Sequence, residues 1–278
     1  MLKMENHCEL LREVFGESSD SEDDDPQHKQ IGDPIPSWEQ IKEINGLWLC
    51  RDFLSPQHQS SLISAVLNEG WFTEDSHNQH LSALEFEVTA VEYSTNSWLL
   101  VFGAAMRFGD LPAWATELSN SIREAVLLGH HVSKSTDLAT SNGATGDCLL
   151  PLNLLWREPL FDQLIVNVYH PGEGICAHVD LMRFEDGIAI VSLESSCVMH
   201  FTRVEAGSNI VEQGELHLRV GKIPVHLTPG SLVLMSGEAR YLWKHEINRN
   251  PGFQMWGGQE LIQEKRISIT LRKLRQVE

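Results

Sequence analysis

The chain has 278 residues, of which 42% are hydrophobic, so it can bury one substantial core, and its formal net charge is −18 at pH 7. No run approaches the roughly 18 to 20 apolar residues of a membrane span, and the N-terminus lacks the apolar stretch of a signal peptide. We therefore expect an intracellular protein, in the cytoplasm or the nucleus, without a membrane partner.

The acidic charge is spread over the N-terminal segment and the rest of the chain. Residues 1–30 carry 3 basic and 9 acidic side chains, a net charge of −6, so the remaining residues keep −12. We expect residues 1–33 to form an acidic, disordered tail, because the run Ser18–Asp25 has no apolar surface to bury. Two interpretations stay open. The tail is either only solvated, or it carries a short helix over Glu9–Phe15 that binds a protein partner beside phosphorylatable serines.

The cysteines argue against a disulfide framework. They are odd in number, scattered and without C-x-x-C spacing, which also argues against a zinc site. We expect free thiols at all five positions: Cys8, Cys50, Cys148, Cys176 and Cys197.

The first half of the predicted folded domain, residues 34–278, contains helical signals. Gly46–Cys50 has the composition of a strand. Ser55–Leu67 opens with a capping serine and a proline at the first helical position, which predicts a helix. The same signs predict a second helix over Leu111–Val126, and the residues from His130 to Asp147, rich in Ser, Thr and Gly, predict a loop.

From Leu164 onward the pattern is typical of short strands separated by turns. We expect a mostly β fold with flanking helices, built on a double-stranded β-helix or jelly-roll core. The predicted strands are 164–169, 188–193, 197–204, 215–220, 223–227, 231–235, 240–243 and 266–272.

Side chains that can bind a metal ion or donate hydrogen bonds lie in or close to these predicted strands. Asn167 and Tyr169 share one face of a strand, since residues two apart point the same way. His178 and Asp180 follow at the next turn, and His245 lies far downstream. Two imidazoles and one carboxylate suit non-haem Fe(II). Spacing alone leaves open a structural role for any of these histidines.

The run Arg266–Arg272 alternates polar with apolar residues. Two arginines on the polar face of a core-facing strand need anionic partners, because an unpaired buried guanidinium is costly. A dicarboxylate cosubstrate would supply those partners, since the planar guanidinium binds carboxylates in a bidentate manner. Aspartate or glutamate side chains at a barrel rim are the alternative.

Three motifs in this order carry a resemblance to a known family. They are the segments 167–180 (NVYHPGEGICAHVD), 229–245 (PGSLVLMSGEARYLWKH) and 266–272 (RISITLR). The chain resembles the AlkB family of Fe(II)- and 2-oxoglutarate-dependent dioxygenases over roughly residues 160–275. The family fold is a double-stranded β-helix, in agreement with the strand pattern.

The resemblance implies a role for each site residue. His178, Asp180 and His245 correspond to the iron ligands, and Asn167 and Tyr169 to groups that hydrogen-bond 2-oxoglutarate. Arg266 corresponds to the residue that pairs with the distal carboxylate of 2-oxoglutarate. Arg272 corresponds to the residue near the carboxylate that chelates iron.

The implied activity is hydroxylation or oxidative demethylation, with O2 and 2-oxoglutarate as cosubstrates. The expected substrate is a modified nucleotide, in RNA rather than DNA. Leu181 and Met182 stand where DNA-repair members place polar residues, and Glu246 stands where the family generally has glycine. The segment 184–188 is more similar to the homologue that hydroxylates a wobble uridine in tRNA.

Two other classes of protein stay open. A protein or small-molecule hydroxylase would need no phosphate-binding surface, which suits the acidic balance. A non-catalytic binding protein would retain the fold and use the acidic tail for docking. The complete set of metal and cosubstrate residues argues against loss of turnover.

Deletion of residues 1–30 is expected to change the melting temperature little, because this segment has almost no apolar surface to bury. A thermal melt of the truncated protein beside the full chain measures the effect. A large loss of thermal stability would show that the segment packs on the core.

Overall fold

The computed structural model describes residues 36–72, 98–101, 104–136, 149–204 and 221–276. The chain divides into one unit over Met1–Pro34 and a second over Ile35–Glu278. All the described residues belong to the second unit. The predicted tail over residues 1–33 and the predicted strand 215–220 lie outside the described residues.

Strands dominate the described chain. Two longer helices, α1 (Pro56–Asn68) and α2 (Ala113–Thr136), and two single turns, α3 (Leu152–Leu155) and α4 (Glu238–Tyr241), accompany them. The strands are β1 (Trp38–Gln40), β2 (Leu47–Cys50), β3 (Trp98–Val101), β4 (Ala104–Phe108), β5 (Gln163–Tyr169), β6 (Ile175–His178), β7 (Ile188–Leu193), β8 (Cys197–Arg203), β9 (Ile223–Leu227), β10 (Leu232–Met235), β11 (Trp243–Ile247), β12 (Met255–Trp256), β13 (Gln259–Glu260) and β14 (Arg266–Arg272).

The strands form two main antiparallel sheets. The larger sheet has eight strands in the order β1-β2-β10-β7-β14-β5-β4-β3, and the smaller one has four in the order β6-β11-β8-β9. Strands β12 and β13 form a separate hairpin. This jelly-roll arrangement with helices outside confirms the predicted fold class.

Two apolar clusters cover the two faces of the large sheet. Alternate residues of one strand contribute to different clusters: Leu232 and Leu234 of β10 pack with the helices, whereas Val233 and Met235 pack with the small sheet. Ile267, Ile269 and Leu271 of β14 belong to the helix-side cluster. The polar residues of β14 therefore face the space between the two sheets, as the alternation predicts.

Helix α1 begins as its sequence predicts. The Ser55 side chain accepts a hydrogen bond from the His58 backbone N–H, and Pro56 occupies the first turn. The predicted strands 188–193, 223–227 and 266–272 have the observed bounds, and 164–169, 197–204 and 231–235 differ by one residue.

Helix α2 shows one error of prediction, because it runs to Thr136 through the first residues of the predicted loop 130–147. Gly129 lies inside the observed helix. A Cβ atom at that position would lie 2.5 Å from a Leu149 methyl group and 2.6 Å from the Trp38 ring. Glycine is thus required for close packing and does not terminate the helix.

The predicted strand 240–243 is also wrong. Residues 238–241 form the helical turn α4, closed by the bonds from Tyr241 N to Gly237 O and from Leu242 N to Glu238 O. The strand begins only at Trp243. The buried Arg240 side chain of this turn donates hydrogen bonds to backbone carbonyls of a distant segment. Within the described residues, no helix is both long enough and apolar enough to cross a membrane.

Candidate metal centre

Strand pairing brings two of the predicted ligands together. β6 and β11 are antiparallel neighbours, and His178 and His245 are directly paired Cα partners in them. Side chains of such a pair project from the same face of a sheet. The two imidazole ring centroids lie 4.3 Å apart.

A backbone carbonyl orients the His178 ring. His178 Nδ1 lies 2.8 Å from the carbonyl oxygen of Cys176. Because a carbonyl oxygen only accepts, this contact assigns the proton to Nδ1 and leaves the Nε2 lone pair for a ligand.

Asp180 completes the cluster from a loop position beyond β6. Its Oδ2 lies 3.8 Å from His245 Nε2, and its Oδ1 lies 2.5 Å from Arg272 Nη1. One donor atom from each of His178, Asp180 and His245 lies within 4.8 Å of the others. The structure thus brings the three predicted ligands into one cluster, with the chemistry of a 2-His-1-carboxylate site.

Burial and charge set the protonation states of this cluster. Burial alone would raise the pKa of Asp180, but the positive charge and hydrogen bond of Arg272 outweigh it, and the pKa lies below its ordinary value. Burial lowers the pKa of His245 to about 4, against the opposing effect of Asp180. An anionic carboxylate and a neutral imidazole are the forms that bind a metal ion.

Arg272 already has a carboxylate partner in the protein. Besides the bond to Asp180, its Nε donates to Gln163 Oε1 at 2.6 Å, and its guanidinium carbon lies 3.9 Å from the centroid of the Phe184 ring. Of the two kinds of partner considered for these arginines, a cosubstrate carboxylate and a protein carboxylate, Arg272 has the second in this structure. The aspartate alternative applies to it, although that aspartate is itself a candidate metal ligand.

Arg266 differs, because most of its donors are unused. The residue is 1% exposed, and its Nε donates to Ser192 Oγ at 3.1 Å. Among the described residues, neither Nη1 nor Nη2 has a hydrogen-bond partner. A buried guanidinium with two unused nitrogens fits an anionic ligand, as the distal carboxylate of 2-oxoglutarate would be.

Tyr169 and Asn167 lie on the strand next to Arg266. The antiparallel pairing of β5 with β14 places Tyr169 opposite Arg266 and Asn167 opposite Ser268. The Arg266 guanidinium carbon lies 5.4 Å from the Tyr169 ring centroid. Burial raises the pKa of Tyr169, so its phenol stays a neutral hydrogen-bond donor.

The other histidines of the described strands lie away from the metal cluster. Glu246 follows His245 in β11 and so faces the opposite side of the strand, where it forms an ion pair with Lys222 and is the Cα partner of His200. His226 lies on the same outer face and stacks on Trp256 at 5.2 Å. These residues are therefore not part of the metal cluster. His170 is exposed, and His217 lies outside the described residues.

The prediction missed three residues that support the cluster. Gln163 shares its face of β5 with Asn167, so continued alternation would have identified it. Phe184 and Arg240 gave no usable signal, because their partners are an arginine and backbone carbonyls distant in sequence.

The chain belongs to the 2OG-Fe(II) oxygenase superfamily, whose family model matches residues 46–272. This superfamily agrees with the predicted class of Fe(II)- and 2-oxoglutarate-dependent dioxygenases, and similar proteins carry names of the AlkB family. An Arabidopsis thaliana protein named "Alkylated DNA repair protein ALKBH8 homolog" is 28% identical over 258 residues, which are 90% of this chain and 65% of that protein.

Two further comparisons agree with this assignment. The Xenopus tropicalis protein named "tRNA (carboxymethyluridine(34)-5-O)-methyltransferase alkbh8" is 29% identical over 203 residues, 73% of this chain and 25% of that protein. The chain thus spans less than two thirds of the length of either relative. The solved structure of OsALKBH1 is similar in fold, with a TM-score of 0.50 at 15% identity, over 85% of this chain and 100% of that one.

Separate substitutions of Arg272 and Arg266 are expected to change the free energy of unfolding by different amounts. Arg272→Met is expected to destabilise the metal-free protein by about 3 to 5 kcal/mol, because Asp180 would keep a buried charge without its partner. Arg266→Met removes a guanidinium with two unused nitrogens and only one observed hydrogen bond, so its effect is expected to stay within about 1 kcal/mol.

Urea unfolding of the two metal-free variants and the wild type measures this difference. Equal losses of unfolding free energy would show that Arg266 has a protein partner as important as that of Arg272.

Proposed function

We propose that this chain uses Fe(II) and 2-oxoglutarate to hydroxylate or oxidatively demethylate modified nucleotides in RNA. One observation carries the proposal. The domain contains the His178-Asp180-His245 cluster, in which Asp180 and His245 are buried, and also an arginine, Arg266, with two unused buried nitrogens. A metal ion fits the first feature and a carboxylate fits the second.

The donor set assigns a task to each residue. His178 offers Nε2, His245 offers its neutral ring, and Asp180 offers Oδ2, because Arg272 holds Oδ1. In the proposal, Arg266 pairs with the distal carboxylate of 2-oxoglutarate, and Tyr169 and Asn167 donate hydrogen bonds to it. Arg272 keeps a place near the carboxylate that chelates iron, while its guanidinium holds Asp180.

Bound Fe(II) and 2-oxoglutarate supply O2 activation, in which 2-oxoglutarate is oxidised to succinate and CO2 and one oxygen atom enters a substrate C–H bond. The protein binds and orients the reacting groups and shields them from water. Oxidation of an N-methyl group would lead to demethylation, whereas oxidation at carbon would leave a stable alcohol.

The name of one relative favours RNA as the substrate, whereas the name of the Arabidopsis thaliana relative refers to DNA repair. The Xenopus tropicalis relative is named for carboxymethyluridine(34) of tRNA. Leu181 and Met182, the two residues after the Asp180 ligand, are 46% and 58% exposed. Apolar side chains at this place suit the face of a nucleobase better than a phosphate.

The acidic charge favours a second candidate. A net charge of −18 provides no broad phosphate-binding surface, so a protein or small-molecule hydroxylase is the alternative.

A protein partner for the acidic tail and a location in the cytoplasm or nucleus remain part of our proposal. The absence of disulfides at Cys50, Cys176 and Cys197 is compatible with a reducing compartment.

The test is a coupled assay of succinate production and substrate mass on the full chain with Fe(II), O2 and 2-oxoglutarate. The substrates are anticodon stem-loops with modified uridines, methylated RNA and DNA oligonucleotides, and peptides. We expect oxidation of RNA by the wild type, none by His178→Ala, and wild-type activity in the control His226→Ala.

The pattern across substrates separates the alternatives. Oxidation of peptides alone would contradict RNA as the substrate and would support a protein hydroxylase. Equal succinate production by wild type and His178→Ala would exclude this cluster as the catalytic centre.

Arg266→Met is expected to weaken 2-oxoglutarate binding roughly 10- to 1,000-fold, the effect of losing about 1.5 to 4 kcal/mol of charge-assisted hydrogen bonding. Calorimetric titration with 2-oxoglutarate in the presence of Mn(II) measures this affinity. Arg203→Met, at a 52% exposed side chain on β8, is the matched control and should bind like the wild type. Unchanged affinity in Arg266→Met would remove this residue from the cosubstrate site.

A further inference from the structure

One of the three proposed metal ligands lacks the support of strand pairing. His178 and His245 are held opposite each other in β6 and β11. β6 ends at His178 and β7 begins at Ile188, so Asp180 lies in the connection between these strands. Other groups must therefore hold the Asp180 backbone in place.

The Arg240 side chain supplies that support. Its Nη1 donates to the carbonyl oxygen of Asp180 at 2.9 Å, and its Nη2 donates to the carbonyl oxygens of Leu181 at 2.8 Å and Phe184 at 3.2 Å. Three carbonyls of one turn are thus bonded to one rigid guanidinium. This planar group fixes the direction of each bond more strictly than an ammonium group would.

Arg240 also connects the segments that carry two ligands. It lies in α4, and β11, which contains His245, begins two residues after α4 ends. The same side chain therefore ties the segment leading to His245 to the backbone of Asp180. A shift of α4 relative to the Asp180 turn would change the separation of the two ligands.

Burial of the charged Arg240 side chain has a large desolvation free energy, which its contacts must offset. The residue is 1% exposed, so its guanidinium is removed from water. Its guanidinium carbon lies 4.8 Å from the Tyr241 ring centroid, and its other observed partners are the three carbonyls. A buried guanidinium is suited to binding the carbonyl oxygens of the turn that carries the anionic ligand Asp180.

We propose that Arg240 is a positioning residue for the metal site, which holds the Asp180 carboxylate at the distance from the two histidines that a metal ion requires. This inference rests on the proposed function, because it concerns the same metal ion. Groups that orient metal ligands from outside the coordination sphere typically contribute 10- to 100-fold to metal affinity.

The chain contains a matched control at the other end of the same turn. Arg157 is also largely buried, with a side chain 10% exposed, and it binds carbonyls in addition to an ion pair with Glu185 at 3.3 Å. Its Nη1 donates to Asp186 O at 2.7 Å, its Nη2 to Gly187 O at 3.2 Å and its Nε to Leu160 O at 2.8 Å. Arg157 holds the turn where it enters β7, away from the ligand.

The experiment is calorimetric titration of the full chain with Mn(II) alone, for the wild type and the variants Arg240→Lys, Arg240→Met, Arg157→Lys and Asp180→Ala. A lysine keeps the positive charge but cannot reproduce the fork of donors to three carbonyls. We expect Mn(II) affinity to fall about 10- to 100-fold in both Arg240 variants. Arg157→Lys is expected to bind Mn(II) like the wild type, even where its melting temperature falls as far as that of Arg240→Lys.

Two further measurements distinguish positioning from a loss of folding. Hydrogen exchange of the Leu181–Phe184 amides is expected to increase in Arg240→Lys, while the amides of β5 and β14 stay protected. In the succinate assay, the Fe(II) concentration that gives half-maximal rate is expected to rise by the same factor as the Mn(II) Kd, with little change of kcat at saturating Fe(II).

The outcomes separate this inference from the proposed function. If the wild type binds Mn(II) and Asp180→Ala does not, but both Arg240 variants bind like the wild type, the positioning role is overturned and the metal site stands. An equal loss of Mn(II) affinity in Arg240→Lys and Arg157→Lys would likewise reduce Arg240 to a general stabilising residue. If the wild type binds no more tightly than Asp180→Ala, both proposals are overturned.

Discussion

The buried ion pair between Asp180 and Arg272 is the interaction on which the metal site depends. Arg272 lies on β14, which is paired with β5 on one side and β7 on the other. The ion pair therefore connects Asp180, which lies outside the strands, to β14, which is hydrogen-bonded to a neighbouring strand on each side. A buried carboxylate without this partner would favour protonation, and a protonated aspartate binds metal poorly. The arginine thus keeps the ligand both in place and anionic.

Three buried arginines near this site have different kinds of partner. Arg272 binds a carboxylate, Arg240 binds backbone carbonyls, and Arg266 has one hydroxyl partner and two unused nitrogens. Both terminal nitrogens of Arg240 donate to carbonyls, although its Nε has no hydrogen-bond partner among the described residues, and Arg272 is paired with Asp180, so these two arginines are parts of the protein's own structure. The third is incomplete without an anion. This difference, more than the presence of arginine itself, indicates where a cosubstrate carboxylate would bind.

Local patterns predicted the elements whose structure depends on neighbouring residues. The cap and proline at Ser55 and Pro56 predicted the start of α1, and strict alternation predicted β14 with its observed bounds. The prediction failed for α4, whose buried side chain Arg240 bonds to carbonyls about 60 positions away, a contact that no local pattern contains. It failed for the end of α2 because the Ser, Thr and Gly content from His130 onward predicted a loop, whereas the helix continues to Thr136 and packs closely on Trp38 and Leu149 at Gly129.

The sequence by itself determined which side chains have the chemistry of a metal and carboxylate site, and on which face of each strand they lie. His178, Asp180 and His245 could be named because their motif order resembles one family. Only the tertiary structure decided that these three converge while His200 and His226 lie on the outer face of the small sheet. It also decided that Arg272 is paired with Asp180, 92 positions away, and that Arg266 keeps two unused donors. Such contacts depend on which strands become neighbours, and that is set by the packing of the whole sheet rather than by any local pattern.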